Sequence, residues 1–450
     1  MDGFVTHVES PIWTAGTRSR ELFEAEQEYL APGAQSFALF SQITIDRGQG
    51  ALLYDVDGNR YIDLMAGIGV ASLGYAHPKY VAALQRQLSR IHVGSFTSEN
   101  RAALVKLLAD LAPGDVNRSQ FYSSGAEAVE SALRLAKAYT GKDEFIGFWG
   151  GFHGKTAGVL PLLGNAFKHD LGPLMPGRYL TPYASCARCP FEKTFPACDW
   201  TCVEFLKKKI AIETANNIAA IIVEPIQGTA GNIVPPLGFL KAIREVCDEI
   251  GAVMIADEMI TGFGRTGKMF GVEHEPGVVP DIISCGKGFG GGFPMSGLLI
   301  REEVAFSKPW ANPSGSSSSY GGNPMAAAAA RVTIETILEE GLVERSRALG
   351  EIMLAELQRW EDEVPIVSDV RGRGLMIGMD LVQPGTRTLL DKKVTRRIFD
   401  QCLSRGVLSM IYSPEVRINP PLVITEDQAM SALAITKEVL IETTHWLLTT

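Results

Sequence analysis

The sequence predicts an α/β protein that is built on a mostly parallel sheet and carries a smaller α+β part. The first observation is the stretch 252–299, where two short apolar runs lead to Asp257 and to Lys287. Short apolar runs bounded by glycine or proline are typical of buried strands in an α/β sheet. The second observation is that strand-like and helix-like patterns alternate from about residue 119 to 324. This alternation predicts parallel strands joined by right-handed crossovers.

A third observation is the length of 450 residues, which is too great for one small core. We expect residues 76–324 to form a large domain, and residues 1–75 and 325–450 to combine into a small domain. The predicted large domain contains a cysteine-rich insertion at about residues 183–203.

The elements before residue 119 begin with a helix predicted at residues 19–30. A period-two pattern on both sides of Asp57-Gly58 predicts a β-hairpin, because this dipeptide suits a tight two-residue turn. The glycine-rich stretch 65–78 is expected to be a loop near the site. Apolar residues at helical spacing predict amphipathic helices at 78–90 and 99–111.

The later elements follow from the same two periodicities. In the alternating region, strands are predicted at residues 121–124, 144–149, 218–225, 252–258, 281–286 and 296–300, and a helix at 239–250. In the C-terminal part, helices are predicted at residues 325–340 and 343–361, from 392 onward and at the end of the chain, with strand-like segments at 370–382 and 407–425.

Charge and composition exclude several classes of function. The formal net charge of −9, with no basic run, argues against a nucleic-acid surface. Residues 1–13 lack the basic and apolar regions of a signal peptide. The longest apolar runs, such as residues 218–223, are too short to span a bilayer. We therefore expect a cytoplasmic enzyme with no membrane or nucleic-acid partner.

A Ser-Ser-Gly turn between a predicted strand and a predicted helix is a candidate anion site. Ser124, Gly125 and Ala126 stand at the start of that helix. Free backbone N–H groups and the helix dipole favour a phosphate there. The alternative is an ordinary N-cap serine.

Glycines surround Phe152 and His153 at the end of another predicted strand. An aromatic ring held there can stack on a flat cofactor. A core aromatic residue next to a hydrogen-bonded histidine fits the same pattern, so these two residues alone do not decide between a site and a core.

The segment 262–267 matches the glycine pattern of dinucleotide-binding proteins but does not predict a nucleotide site. Pro276 and Pro280 prevent the following segment from forming the crossover helix that such a site requires. The glycines around Lys287 also lack the spacing of a phosphate-binding P-loop.

Lys287 lies between a buried-looking strand and a glycine-rich loop, where a lysine is poorly placed for a solvated surface. Burial and cationic neighbours lower the pKa of an amine and make it a nucleophile. Asp257 could pair with a protonated ring nitrogen. Taken singly, an ion pair for Lys287 and a loop cap for Asp257 are the simpler interpretations. Together with the phosphate cradle and the aromatic ring, they supply the contacts that pyridoxal phosphate (PLP) requires.

The motifs as a set resemble the class III aminotransferases, which are PLP enzymes of fold type I. They are SSGAEAVESALRLAKA, GGFHGKT, IIVEPIQGTAG, MIADEMITGFGRTGKMFGVEH, DIISCGKGFGGGFPMSG, SYGGNPMA and VRINPPLVIT. They occur in the order of the family and extend from the hairpin nearly to the C-terminus. The resemblance implies a large domain whose mostly parallel, seven-stranded sheet lies between helices, plus a small α+β domain.

The resemblance also implies roles for individual residues. Lys287 would hold PLP as an aldimine and then act as the proton-transfer base, and Asp257 would pair with the pyridinium nitrogen. The other cofactor contacts that it implies are Ser124, Gly125 and Ala126 at the phosphate, Phe152 on the ring with His153 alongside, Ile260, and Ser319 from the partner subunit.

Two further roles concern the partner subunit and the substrate. Ser319 stands where the family usually has a threonine that reaches the phosphate of the other subunit, so a homodimer with shared active sites is implied. Arg417 matches the arginine that often binds a substrate carboxylate.

The implied activity is transfer of an amino group from a primary amine or amino acid to a keto acid or aldehyde, in ping-pong half-reactions. Other PLP chemistry on the same scaffold, namely an amino-acid epimerase, decarboxylase or phospho-lyase, remains open because Lys287 and Asp257 serve all of them. A non-catalytic PLP-binding module of a regulator is disfavoured by the acidic net charge and the missing DNA-binding extension.

Three positions depart from the family patterns that would indicate a substrate. Ile260 stands where enzymes of ω-amino acids and glutamate often have glutamine, and it resembles the amine:pyruvate branch. Thr229 stands where many members have a glutamate that switches the carboxylate-binding arginine, and Lys155 where some have an arginine for an ω-carboxylate. A dedicated 4-aminobutyrate or ornithine enzyme is thus disfavoured, and primary amines, amino sugars and diamines remain open as donors.

The cysteine-rich insertion has C-x2-C-x8-C-x3-C spacing, formed by Cys186, Cys189, Cys198 and Cys202. In a cytoplasmic protein this pattern favours a structural zinc ion or an iron–sulfur cluster over disulfides. Four reduced thiols in a surface loop are the alternative, because the middle spacing is shorter than in common zinc ribbons.

Overall fold

The computed structural model describes residues 14–449. The segment 1–13, in which no signal peptide is predicted, lies outside the described residues. Within residues 14–449, no helix has both the length and the apolar character that crossing a membrane requires.

The described residues contain fourteen strands, which are β1 (Ile45–Gln49), β2 (Leu52–Asp55), β3 (Arg60–Asp63), β4 (Val116–Tyr122), β5 (Glu144–Phe148), β6 (Arg178–Thr181), β7 (Ile218–Val223), β8 (Val253–Asp257), β9 (Ile282–Cys285), β10 (Ser296–Arg301), β11 (Val367–Arg373), β12 (Met376–Leu381), β13 (Val407–Leu408) and β14 (Glu415–Ile418).

The α-helices of the same residues are α1 (Thr17–Gln27), α2 (Ser36–Ser41), α3 (Ala66–Gly69), α4 (Pro78–Leu88), α5 (Glu99–Leu111), α6 (Gly125–Thr140), α7 (Thr201–Glu213), α8 (Phe239–Ile250), α9 (Glu302–Ala305), α10 (Pro324–Glu339), α11 (Leu342–Glu363), α12 (Lys392–Ser404) and α13 (Glu426–Thr449).

The central sheet has seven strands in the order β4-β10-β9-β8-β7-β5-β6. Strands β6, β5, β7, β8 and β9 pair in parallel, and β10 alone runs antiparallel to its neighbours β9 and β4. Every residue of β7, β8 and β9 is buried, as expected for continuous apolar strands covered by helices on both faces. The predicted α/β class and the mostly parallel seven-stranded sheet are confirmed.

Two smaller sheets accompany the central one. The first has the order β1-β2-β3-β13 and the second the order β11-β12-β14. The predicted hairpin forms β2 and β3, and β13 pairs in parallel with β3. Residues of the N-terminal hairpin and of the C-terminal part therefore share a sheet. The division of the chain into domains stays a prediction.

Helix α6 shows how local sequence sets the edge of the site. Ser124 caps its start, where the Ser124 Oγ accepts a hydrogen bond from the Glu127 N–H at 3.3 Å. Gly141 ends it in the left-handed conformation with φ of 71°, which glycine adopts without a steric penalty. The buried face, which includes Val129 and Leu133, anchors the helix on the central sheet.

The elements that the sequence did not predict include β1, β6 and α7. All five residues of β1 lie outside the core, so that strand has no alternation of buried and exposed side chains. Strand β6 is only four residues long, and α7 contains three consecutive lysines with a weak apolar stripe. In addition, the segment 370–382 forms two strands, because the chain turns at Gly374 with φ of 54°.

Candidate active site

The carboxyl ends of strands β4, β5, β7, β8 and β9 meet at one edge of the central sheet. Five polar or aromatic segments follow them directly: Ser124 after β4, Phe152 and His153 after β5, Glu224 after β7, Asp257 at the end of β8, and Lys287 after β9. Open α/β sheets bind their ligands at this edge. The structure therefore brings most of the predicted site residues together.

Asp257 is almost completely buried and fully hydrogen-bonded. His153 Nδ1 lies 2.6 Å from Asp257 Oδ2, while the Ser284 hydroxyl and the Met259 N–H each donate to Oδ1 at 3.2 Å. Burial alone would lower the pKa of His153, but the hydrogen bond and charge of Asp257, with Glu224, raise it above the ordinary value. The second ring nitrogen, Nε2, is buried and has no partner among the described residues.

Lys287 is half-buried and makes no hydrogen bond or ion pair with the described residues. Burial lowers its pKa, the negative charges of Asp257 and Glu224 oppose this shift, and the Arg417 cation adds to it. Its backbone has φ of 46°, a left-handed conformation that costs free energy for a residue with a side chain. Such strain is concentrated at functional sites.

Glu224 is a site residue that the sequence reasoning did not single out. Its two carboxylate oxygens accept hydrogen bonds from the N–H groups of Phe152 and Gly228, each at 2.9 Å. Burial raises the pKa of this carboxyl group, and the nearby charge of Asp257 adds to the shift. The available signal was its position at the end of an apolar run, the same position that drew attention to Asp257.

The start of helix α6 packs against the loops that carry His153 and Asp257. A Cβ at Gly154, where φ is 121°, would lie 2.6 Å from the Ala126 Cβ, and one at Gly125 would lie 3.0 Å from the Met259 Sδ. The first N–H groups of the helix, at Gly125 and Ala126, have no intrahelical acceptor. The predicted phosphate cradle thus lies next to the Asp257–His153 pair.

Arg417, on β14, is close enough to Lys287 and Glu224 for their charges to interact. Burial lowers its pKa, and a hydrogen bond with the Tyr412 side chain opposes that shift. Tyr412, a second residue missed by the sequence reasoning, has its ring held edge-on by Phe40 and Phe399, with centroid distances of 5.6 and 5.8 Å. A tyrosine side chain, rather than a carboxylate, therefore hydrogen-bonds this arginine.

Two further predicted residues, Ile260 and Ser319, lie in contrasting surroundings. Ile260 is buried and packs with Ile226 and Met376, and a Cβ on Gly228 would approach it to 3.1 Å. Ser319, by contrast, lies on an exposed stretch and makes no hydrogen bond with the rest of the described chain.

Lys155 lies beside two aromatic rings. Its Nζ is 5.9 Å from the ring centroid of Phe152 and 4.3 Å from that of Phe167, and these two rings meet edge-on at 6.1 Å. The structure therefore places this cation beside the aromatic residue that was predicted to stack on the cofactor.

The prediction of a zinc or iron–sulfur site in the cysteine-rich insertion is not supported. Within residues 14–449, no group of three or more histidine, cysteine, aspartate or glutamate side chains is arranged to hold a metal ion. Cys186, Cys189, Cys198 and Cys202 are all free. Burial raises the pKa of Cys202 to about 11.

The model of the family "Aminotransferase class-III" matches residues 34–440. The chain belongs to the class III aminotransferases. This membership confirms the resemblance seen in the motifs, and other PLP reactions are not favoured.

Individual relatives agree with the family. Acetylornithine aminotransferase of Methanopyrus kandleri is 40% identical over 395 residues, which cover 87% of this chain and 92% of that protein. Putrescine aminotransferase of Pectobacterium atrosepticum is 36% identical over 438 residues, or 94% and 89% of the two chains. The solved structure of the ω-transaminase of Pseudomonas jessenii in complex with PMP has a TM-score of 0.88 and 27% identity, covering 95% of this chain and 99% of the other.

Membership of the class III aminotransferases implies PLP as the cofactor, and the residues at the sheet edge fit that group. An unpaired, half-buried lysine and a buried carboxylate stand at the carboxyl ends of adjacent strands. An orphaned ring nitrogen of His153 and a helix start without acceptors lie beside them. Unpaired buried polar groups of this kind are costly unless a ligand meets them.

Proposed function

We propose that this aminotransferase uses PLP to move the amino group of an unbranched primary amine to a keto acid. The observation that carries the proposal is the meeting of the unpaired Lys287 and the buried Asp257–His153 pair at one edge of the sheet. Bound PLP supplies an electron sink that weakens the C–H bond at the amine carbon.

The two central residues would divide the chemistry. Asp257, held by His153 and by Ser284, would keep its carboxylate in place to pair with the cofactor's ring nitrogen. Lys287 would hold the cofactor covalently and, once released by the donor, would move a proton at the amine carbon through Nζ. A pKa that burial has lowered keeps this amine neutral at a lower pH than usual, as a general base requires.

The surrounding residues would hold and cover the cofactor. The proposed contacts are Ser124, Gly125 and Ala126 at the phosphate, Phe152 and Ile260 at the ring, His153 behind Asp257, and Ser319 of the second subunit at the phosphate. Ile260 offers no hydrogen bond, so its contribution would be apolar contact and exclusion of water.

Arg417 would bind the carboxylate of the keto acid. Thr229 leaves the neighbouring loop without the acidic side chain that many members place there, and the side chain that hydrogen-bonds Arg417 is that of Tyr412. A guanidinium group without an acidic hydrogen-bond partner is free to form a charge-assisted pair with an incoming carboxylate.

The names of two relatives narrow the choice of amino donor. Putrescine and acetylornithine, for which two of them are named, both carry a primary amino group at the end of an unbranched chain. We extend this feature to the present enzyme and propose a donor with a terminal –CH2–NH2 group.

We further propose a homodimer with shared active sites. A hydrophobic patch on α4 and the loop after it, formed by Leu88, Ile91, Val93 and Phe96, is exposed in the single chain together with Tyr320. Exposed apolar patches of this kind mark association surfaces. The same proposal includes a large domain at 76–324 and a small domain formed by both ends of the chain. It also includes a cytoplasmic location, which fits a protein with seven free cysteines.

A donor and acceptor screen tests the function. Putrescine, N-acetylornithine, ornithine, 4-aminobutyrate and isopropylamine are offered as donors against pyruvate and 2-oxoglutarate, and the keto acid consumed is measured. We expect kcat/KM for putrescine or N-acetylornithine to exceed that for isopropylamine by more than about tenfold, because the branched amine carbon of isopropylamine brings an additional methyl group into the pocket. Preference for the branched amine, or no amino transfer with any donor, would contradict the proposal.

A further inference from the structure

The cysteine-rich insertion contacts the three-stranded sheet through Arg188. The Nε of Arg188 donates to Asp380 Oδ2 at 2.7 Å, and its Nη1 donates to the carbonyl oxygen of Arg387 at 3.2 Å. In return, Arg387 Nη2 donates to the carbonyl oxygen of Ala187 at 2.9 Å. The insertion, which follows β6 of the central sheet, is thereby fastened to β12 and to the loop after it.

Asp380 has a second arginine partner. Its Oδ1 accepts a hydrogen bond from Arg371 Nη2 at 2.9 Å, and its side chain is 3% exposed. Arg371 also donates to the carbonyl oxygen of Gly231 from Nε at 3.1 Å and from Nη2 at 2.8 Å. A buried carboxylate thus joins two guanidinium groups, one of which also holds the loop that follows β7.

The same strand pair carries Arg417. Strand β12 pairs with β14 so that Asp380 lies opposite Glu415 and Gly378 lies opposite Arg417. A Cβ at Gly378 would lie 2.2 Å from the Gly231 carbonyl oxygen, so the loop packs directly on the backbone beside Arg417.

A second contact holds the other side of this strand pair. Asn232 Nδ2 donates to the Ile377 carbonyl oxygen at 2.8 Å and to Asn419 Oδ1 at 2.9 Å. The backbone on both sides of Arg417 is therefore fixed to the loop after β7, by Asn232 near one end and by the Arg371–Asp380–Arg188 chain near the other.

We propose that Arg188 is a positioning residue that acts through Asp380 to hold Arg417 in the orientation that receives the keto acid. This inference rests on the carboxylate-binding role proposed above for Arg417. This role would give the cysteine-rich insertion a function that needs no metal ion. The residue of the insertion that carries it is Arg188, which lies between Cys186 and Cys189. A shift of about 1 Å in a binding group can cost up to about 100-fold in rate. Loss of a hydrogen bond in the Arg371–Asp380–Arg188 chain should therefore change the kinetics with the keto acid measurably.

The test compares two acceptors with the holoenzyme of Arg188→Ala. One acceptor is the preferred keto acid, and the other is butanal, an aldehyde that has no carboxylate. We expect KM for the keto acid to rise about tenfold while the rates with butanal and with the amine donor change less than twofold. Lys193→Ala is the matched control, since Lys193 lies exposed in the same insertion and makes no hydrogen bond or ion pair within the described chain; it should leave both acceptors unaffected.

Two further variants separate positioning from general loss of structure. Asp380→Asn keeps the side-chain volume and removes the charge, and it should reproduce the selective rise in KM. In an Arg417→Ala background, Arg188→Ala should add nothing to the defect with the keto acid, because the residue through which it acts is gone. Equal loss with both acceptors, or an undiminished effect in that background, would overturn the positioning role.

The Arg417→Ala variant also separates the two proposals. A defect in Arg417→Ala but none in Arg188→Ala would overturn only the role of Arg188. If Arg417→Ala leaves the keto-acid dependence unchanged, the carboxylate site is elsewhere, and the role of Arg188 is overturned with it.

Discussion

At the scale of single residues, Lys287 combines three properties that rarely occur together. It lacks a hydrogen bond or ion pair in the described chain, it has a left-handed backbone, and burial lowers its pKa. Each property costs folding free energy, since a buried cation is poorly solvated and the left-handed conformation is strained. A residue held in this state at the expense of stability indicates selection for chemistry.

We expect Lys287→Ala to reduce amino transfer by at least about 1,000-fold, because the variant lacks both the covalent anchor and the proton-transfer base. Formation of the aldehyde from the amine donor in a single turnover measures the loss. Lys241→Ala on the surface of α8 is the control and should retain full activity. Amino transfer within tenfold of the wild type in Lys287→Ala would remove Lys287 from the mechanism.

The same substitution has a consequence for stability that does not depend on catalysis. A lysine with a lowered folded-state pKa binds fewer protons in the folded chain than in the unfolded chain, so stability rises as pH rises through the window between the lowered value and 10.5. The penalty is therefore present at neutral pH and disappears near pH 10.5. In cofactor-free protein, Lys287→Ala should be the more stable chain at pH 7, and the difference in melting temperature should vanish towards pH 10.5.

At the scale of elements, the strands that could be predicted from the sequence are those whose residues are buried on both faces of the sheet. Strands β7, β8 and β9 are continuous apolar runs, and α8 has the predicted bounds. The exposed β1 was missed because its stability comes from pairing with β2 rather than from a periodic apolar pattern. Helix α7 was missed although Val203, Leu206 and Ile210 are buried at helical spacing.

The site residues also divide into those that the sequence pattern reveals and those that only the tertiary structure reveals. Lys287 and Asp257 could be found because each stands at the end of an apolar run. Tyr412 could not, because its hydrogen bond to Arg417 depends on how β14 and the segment before it pack against Phe40 and Phe399. The partnership of Arg188 and Asp380 joins residues 192 positions apart in the chain and is set by tertiary structure alone.

Strand β12 offers a test of how closely the loop after β7 packs on it. Gly378→Ala would place a methyl group 2.2 Å from the Gly231 carbonyl oxygen, and overpacking of this kind costs about 1–3 kcal/mol. We expect a lower melting temperature and a higher KM for the keto acid, measured by thermal unfolding and by steady-state kinetics. Gly33→Ala, at a position with nothing within 4 Å, should change neither; a Gly378→Ala protein as stable as the wild type would mean that the loop can move away freely.

At the scale of the whole molecule, one chain leaves part of its proposed site unexplained. Ser319 is predicted to reach the phosphate of a second subunit, and in the single chain it lies exposed without a hydrogen bond to the described residues. The neighbouring Gly322 lies against Arg101, whose guanidinium group donates to the Ser95 carbonyl oxygen at 3.4 Å. The stretch that carries Ser319 and the hydrophobic patch thus belong to one surface, as a shared active site requires.

The hydrophobic patch therefore predicts the dimer that the proposed shared active site requires. Phe96, 89% exposed in the single chain, would be buried in the dimer, and Phe96→Ser should weaken association by about 2 kcal/mol, or roughly 30-fold. Light scattering after size exclusion should show two chains for the wild type and single chains for the variant at low micromolar concentration. When the dimer dissociates, each active site would lose the Ser319 of the other subunit. The activity per chain should therefore fall when the enzyme is diluted. Ile212→Ser, which removes a side chain 81% exposed on α7, should remain dimeric; a monomeric wild type with full activity would contradict the shared site.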